Sequence, residues 1–241
     1  MNVRRIDSSE LQKLVDVHNV TRPDDPVTTV EFEDWRRQAE DTLWVLAETD
    51  GTPVGAGVGV FGWHTPPGRA LGELYTVPGS RRLGAGSSIL AQLSGWARSL
   101  GCHELVGSVA EDDPESIAWT ERRGFAEIGR HKRVELDLTT IDAPTIDPPP
   151  GIEIEQWSRR PGIEAGLYAV YCEAELDIPG EEDNEIAPLE QWLSMDMQGT
   201  GDPPEAVFVA FAGDEVVGYA KLSILGDSNV TTAYHDLTGV L

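Results

Sequence analysis

An α/β fold around a mixed sheet is what this chain of 241 residues predicts, and three observations predict it. The first is a strand, a glycine loop and a helix in immediate succession over Leu71-Gly-Glu-Leu-Tyr-Thr-Val-Pro-Gly-Ser-Arg-Arg-Leu-Gly-Ala-Gly-Ser-Ser-Ile-Leu90. The second is a hairpin pattern over 42–61 turned at Asp50-Gly51. The third is a proline-rich stretch at 142–151, after which the order of elements starts again: strand, two helical pieces, hairpin.

The chain opens with a short strand over Val3–Asp7, and Ser8-Ser9-Glu10 caps a helix to about Asn19 whose inner face carries Leu11, Leu14, Val15 and His18. An acidic segment around Asp24–Asp34 leads into a second helical piece at Trp35–Glu40. Strands follow at 42–49 and 54–61, and the glycines of the second allow a close approach by another chain or a ligand. Trp35, Trp44, Phe61 and Trp63 fit either a pocket lining or plain core, and core takes the larger share. The strand over 71–77 stops at Pro78-Gly79-Ser80, and from Gly84 the positions Ile89, Leu90, Leu93, Trp96, Ala97 and Leu100 recur at helical spacing.

Gly101-Cys102 ends that helix and a strand is expected at His103–Val109. Asp112-Asp113-Pro114-Glu115 opens a helix with proline in its first turn and acids at its positive end. It closes at Gly124-Phe125, and Arg130–Leu138 alternates as a closing strand. In the second copy, strands are expected at 152–157, 206–212, 216–224 and 232–241 and helices at 160–176 and 188–197. Domain boundaries fall at 1–138, a linker 139–151, and 152–241.

The loop at Arg81 is an anion site on physical grounds. Gly84 and Gly86 leave backbone amides bare at a helix start, where the dipole is positive. Arg81 and Arg82 add charge-assisted donors suited to a phosphate or pyrophosphate. The spacing matches neither a Walker loop, which needs Lys-Ser/Thr after the second glycine, nor a dinucleotide fingerprint, which needs a third glycine.

Composition narrows the partners. Forty-two aspartates and glutamates against 18 lysines and arginines give a net charge of −24, which disfavours nucleic acid and anionic membrane and steers cationic amines inward. Cys102 and Cys172 stand alone, with no metal-ligand spacing, so reduced thiols and no metal are expected. No apolar run reaches the roughly 18 residues of a membrane span, and the first residues lack a signal peptide's hydrophobic region, so a cytoplasmic protein is expected.

Arg81-x-x-Gly84-x-Gly86 resembles the pyrophosphate loop of the GNAT superfamily of acetyl-CoA-dependent N-acetyltransferases, whose pattern is R/Q-x-x-G-x-G/A between strand and helix. Thr76-Val77-Pro78 resembles that family's V-x-P strand exit, with threonine where valine is usual. The resemblance implies a GNAT-like fold with acetyl-CoA as co-substrate. Thr76, Val77, Arg81, Arg82, Leu83, Gly84, Ala85, Gly86 and Ser87 would then hold acetyl-CoA, with Asp113 and Ser116 at the next helix start. The late family signature N-x-x-A-x-x-x-Y-x-x-x-G-F is matched at Gly124-Phe125, but its Asn is Asp113 and its Tyr, the proton donor to the departing thiolate, is Thr120. Thr238-Gly239-Val240 resembles the stretch before the second loop of tandem members of the mycothiol synthase kind. No second R-x-x-G-x-G follows, so 152–241 reads as the front half of a second domain, with an unfinished sheet edge that leaves room for a homodimer.

Acyl transfer to an aliphatic amine of pKa about 10 needs a base near neutral pH. Glu73 is the first candidate, Glu111 and Asp112 the second. Parity counts against Glu73, because the acid that some family members use falls near Ala70, on the other face of the strand. Thr120 is a weak acid, which leaves Tyr75 or solvent to protonate the thiolate. His18, His64, His103, His131 and His235 are scattered and read as structural. The function expected is N-acetylation of a primary amine on a small molecule or peptide. The alternative is a non-catalytic acyl-CoA-binding domain that supports a second catalytic half.

Overall fold

A computed structural model describes residues 1–62, 65–178, 186–199, 201–224 and 233–241. Its first sheet has the order β1 (Asn2–Arg5), β2 (Asp41–Thr49), β3 (Thr52–Phe61), β4 (Arg69–Thr76), β5 (Glu104–Val106), antiparallel throughout except for the parallel β4–β5 pair. Helices α1 (Leu11–Thr21) and α2 (Thr29–Gln38) belong to the face where Tyr75, Trp44, Leu46 and Val58 are buried with Leu11, Leu14 and Phe32. Helix α3 (Ala85–Ser99) covers the other face, burying Ile89, Leu93, Trp96 and Ala97 against Val45, Ala47 and Ala70. Helix α4 (Pro114–Glu121) follows β5.

The glycines of β3 are approached by a helix of the same chain. A Cβ on Gly57 would lie 2.3 Å from Ile89 Cγ2, and one on Gly59 2.5 Å from the Trp96 ring. Glycine at alternate positions thus lets α3 lie directly on the strand backbone, which fixes where the start of α3 falls relative to β4.

Several elements depart from the sequence expectations. Helix α2 begins at Thr29, not at Trp35, because Thr28 and Glu31 form a reciprocal capping box. Strand β5 has only three residues. The closing strand expected at Arg130–Leu138 is not formed, and Val134, Leu136 and Leu138 are exposed. Its alternation is genuine, but an edge strand of three residues offers too short a ladder to pair it.

The second sheet, β6 (Ile152–Gln156), β7 (Val207–Ala212), β8 (Glu215–Ser223) and β9 (Tyr234–Val240), is antiparallel throughout and has the strand order of β1 to β4. The expected start of β9 at Thr232 lies outside the described residues. Helix α5 (Glu164–Glu175) packs on β8 and β9, and α6 (Leu189–Trp192) runs into a π-helical turn at Leu193–Met197 rather than a continuous α-helix.

Lys221, 3% exposed, is the polar centre of this half. It donates to the Asp196 carbonyl and pairs with Asp202 (3.1 Å) and Asp236 (2.7 Å). Burial pushes the Asp196 carboxyl up to about 7 against the pull of Lys221, with Asp236, Glu175 and Asp202 adding repulsion. The folded state therefore holds this proton more tightly than the unfolded chain, so its contribution is full at the low end and lost as pH rises through about 7. Asp196→Asn is expected to flatten that fall in stability, read from denaturant midpoints between about pH 4 and pH 8.

Candidate functional site

The site is built at the start of α3. Backbone at Arg82 (φ +67°) and Gly84 (φ +91°) is left-handed, which swings the chain from the Pro78–Ser80 turn into the helix. The first helical bond runs from the Ser88 amide to the Gly84 carbonyl (3.1 Å), so the amides of Ala85, Gly86 and Ser87 have no intrahelical acceptor. Ala85 is buried and Leu83 exposed. A Cβ on Gly86 would lie 3.3 Å from the Trp119 ring and 3.7 Å from Thr76 Oγ1, so the end of β4, the start of α3 and α4 converge on this glycine.

Helix α4 and the residues around it bring both signs of charge together. Its N-cap Asp113 accepts from the Ser116 amide (3.0 Å) and hydroxyl (2.7 Å), which hold its carboxyl below the usual range. Ser116 therefore serves the cap. Arg81 reaches Asp113 (3.6 Å) and Glu115 (3.5 Å), and Arg82 reaches Glu115 (3.1 Å). Arg123 lies over the Trp119 ring at 3.8 Å and donates to Ser87 Oγ at 2.7 Å, bringing a third guanidinium to the helix start. Sequence reasoning passed over Trp119 and Arg123. Their signal was the i, i+4 spacing that lays Arg123, just past the end of α4, over Trp119 in its last turn.

Beside this lies an opening in the sheet. Strand β4 pairs with β5 only over Arg69–Leu71, so from Glu73 to Thr76 no strand of the described residues adjoins its outer edge. Val77 is fixed there by its amide bond to Val54 O (3.0 Å).

Glu73 and Tyr75 come together on the α1 face of β4, where the Tyr75 hydroxyl donates to Glu73 Oε2. Tyr75 is buried, with His18 edge-on at 4.7 Å. Glu73 is exposed, yet the protein atoms around it displace part of its hydration, and this desolvation pushes its pKa up. Arg22 and then His18 pull it down, while Asp25 raises it further. Ala70 lies on the opposite face, buried under α3.

The other candidates are placed elsewhere. The Thr120 hydroxyl donates to Ile117 O within its own helix (2.8 Å), so its proton is already committed. Glu111 is an exposed partner of Arg130 at 3.1 Å. Trp44 and Phe61 belong to the two cores and Trp35 packs edge-on against Phe32, whereas Trp63 and His64 lie outside the described residues. His18 proves to be a neighbour of the Glu73–Tyr75 pair. Among the described residues no group of His, Cys, Asp and Glu could hold a metal ion, no helix is long and apolar enough to cross a membrane, and Cys102 and Cys172 are free thiols.

Comparison with known proteins bears on this geometry. Residues 7–125 match the model of the acetyltransferase (GNAT) family. An aminoglycoside N(6′)-acetyltransferase type 1 of Acinetobacter genomosp. 13 is 34% identical over 71 residues, 30% of this chain; the match spans 49% of that relative, about half its length. Among solved structures, an aminoglycoside 6′-N-acetyltransferase from Acinetobacter baumannii is 23% identical (TM-score 0.46), covering 57% of this chain and 98% of its own. A ribosomal-protein-alanine N-acetyltransferase from Brucella melitensis is 21% identical (TM-score 0.45), covering 54% and 86%. Residues 7–125, which hold the bare start of α3, the open edge of β4 and the Glu73–Tyr75 pair, form an acetyltransferase (GNAT) domain.

Proposed function

We propose that the chain transfers the acetyl group of acetyl-CoA to a primary amine of a small molecule or peptide. The observation that carries this is the meeting of three unpaired amides and three guanidinium groups at the start of α3, beside an unpaired stretch of β4. The amides of Ala85, Gly86 and Ser87, with Arg81, Arg82 and Arg123, bind the pyrophosphate. The Thr76 amide, at the unpaired edge of β4, orients the pantetheine arm and the thioester oxygen, whereas the Val77 amide is already given to Val54 O.

On the α1 face Glu73 takes the proton from the incoming ammonium, and its elevated pKa brings it closer to the working pH of a base. The amine nitrogen then bonds to the acetyl carbon, the carbon–sulfur bond breaks, the nitrogen sheds its remaining extra proton to solvent, and the departing thiolate takes one from solvent. Tyr75 holds Glu73 in place through its hydroxyl. The name of the curated relative and the net charge of −24 both support a small cationic amine as acceptor.

Glu115 is an internal competitor for Arg81 and Arg82. These pairs are exposed and weak, so Glu115→Gln is expected to tighten acetyl-CoA binding by only about two- to fivefold in calorimetry. The function itself is tested by presenting acetyl-CoA with a panel of aminoglycosides, polyamines and amino-terminal peptides and detecting free thiol. Amine-dependent release supports transfer. Bound acetyl-CoA with no release on any amine would replace it with the non-catalytic acyl-CoA-binding reading.

A further inference from the structure

A contact far apart in sequence joins the second half to the acceptor side of this site. The loop between α1 and α2 carries Asp25, whose Oδ1 accepts from the Tyr234 hydroxyl at 2.9 Å and pairs with Arg133 Nη1 at 3.3 Å. Arg133 Nη2 donates to that same hydroxyl at 2.6 Å, with its guanidinium 4.9 Å above the Tyr234 ring. One hydroxyl thus gives its proton to Asp25 and takes one from Arg133, so the three groups close a ring. Tyr234 opens β9 in the second sheet, and Arg133 comes from the segment after α4 that joins no sheet.

The loop is tied at its other end to the Glu73–Tyr75 pair. Asn19 accepts from the Val27 amide and donates to the Val27 carbonyl, both at 2.9 Å, and its Oδ1 lies 3.0 Å from His18 Nδ1. His18 rests edge-on against Tyr75, and Tyr75 donates to Glu73. Arg22, at the end of α1, and Asp25 both act electrostatically on Glu73. The chain of contacts therefore runs without a gap from β9 to Glu73.

We propose that Tyr234 and Arg133 are positioning residues that latch the Arg22–Thr28 loop beside Glu73, so that the acceptor side of the site is a composite of both halves of the chain. This rests on the reading of Glu73 as the acceptor-side base. The latch explains two observations that the first half alone does not. Arg133 lies in a segment without strand pairing, yet its guanidinium is fixed by three contacts. Tyr234 directs a polar side chain out of its own sheet to a carboxylate 209 residues away in sequence. An isolated exposed ion pair would carry little, but a shared hydroxyl couples the groups so that losing any one loosens the others.

The test uses the full chain with Tyr234→Phe, Asp25→Asn, their double variant, and His235→Ala as a control one residue along β9. Two readouts are taken without any ligand: amide hydrogen exchange at 22–28, and the titration midpoint of Glu73 from its carboxyl carbon-13 shift. Tyr234→Phe and Asp25→Asn are each expected to speed exchange of the loop by about tenfold and to move the Glu73 midpoint, with the double variant no faster than the single ones. His235→Ala should leave both readouts as in the unmodified chain. Unchanged exchange at 22–28, an equal change in the control, simple additivity in the double variant, or an unmoved Glu73 midpoint would each overturn the latch. A chain that shows the latch but no acetyl transfer would refute the catalytic reading alone.

Discussion

Glu73→Gln is expected to lower kcat by about two to three orders of magnitude while acetyl-CoA affinity changes by less than about twofold. Glutamine keeps the size of the side chain and an acceptor for the Tyr75 hydroxyl, so the contact with Tyr75 is preserved, but it cannot take a proton from the ammonium. The groups proposed to bind the pyrophosphate lie at the start of α3, away from Glu73, so affinity and turnover should separate. The pH profile gives an independent sign. Burial raises Glu73 above its ordinary value of 4.5, and the base acts only when deprotonated. Activity should therefore fall as pH drops through that raised value, and the residual rate of Glu73→Gln should lack this acid limb. An acid limb that survives the substitution would assign the base elsewhere, with Glu111 and Asp112 as the next candidates.

Gly86→Glu is expected to weaken acetyl-CoA binding by about 100-fold, roughly 3 kcal/mol, as measured by calorimetry. The substitution puts a negative charge at the positive end of α3, among the amides of Ala85, Gly86 and Ser87, where it competes with a bound anion. It also adds a Cβ at 3.3 Å from the Trp119 ring, a position with little slack. Gly86 lies inside the helix without a left-handed φ, so the fold is expected to survive, and circular dichroism should confirm an intact helix content. Gly86→Ala separates the two causes. It adds the Cβ without the charge, and its loss of affinity should be less than about tenfold.

How much of this was legible in the sequence depends on whether the information was local. The strand, loop and helix around Arg81 were legible because glycine and proline impose their own local conformation, and the start of α3 falls within one residue of the expected position. The β2–β3 hairpin was legible for the same reason, with left-handed backbone at Asp50 and Gly51. Helix α2 was read late although Thr28 and Glu31 spelled its cap, because the acidic run obscured it. The strand expected over Arg130–Leu138 has the right alternation, and what it lacks is a partner edge, which no local pattern encodes. The parity objection to Glu73 was sound as geometry: Ala70 does lie on the other face, under α3. What the sequence could not show was that on the α1 face of β4 Tyr75 bonds the Glu73 carboxylate and is itself backed by His18. Arg123 and Tyr234 escaped notice because their partners, Ser87 and Asp25, are distant in the chain.

The most direct test of the central claim is the amide spectrum of the nitrogen-15-labelled chain during addition of acetyl-CoA. If the start of α3 holds the pyrophosphate, the largest shifts fall on the amides of Ala85, Gly86 and Ser87, with smaller ones at Thr76 and Val77, and the second sheet stays unchanged. Saturable shifts centred on other residues, or no shifts at millimolar acetyl-CoA, would contradict the account.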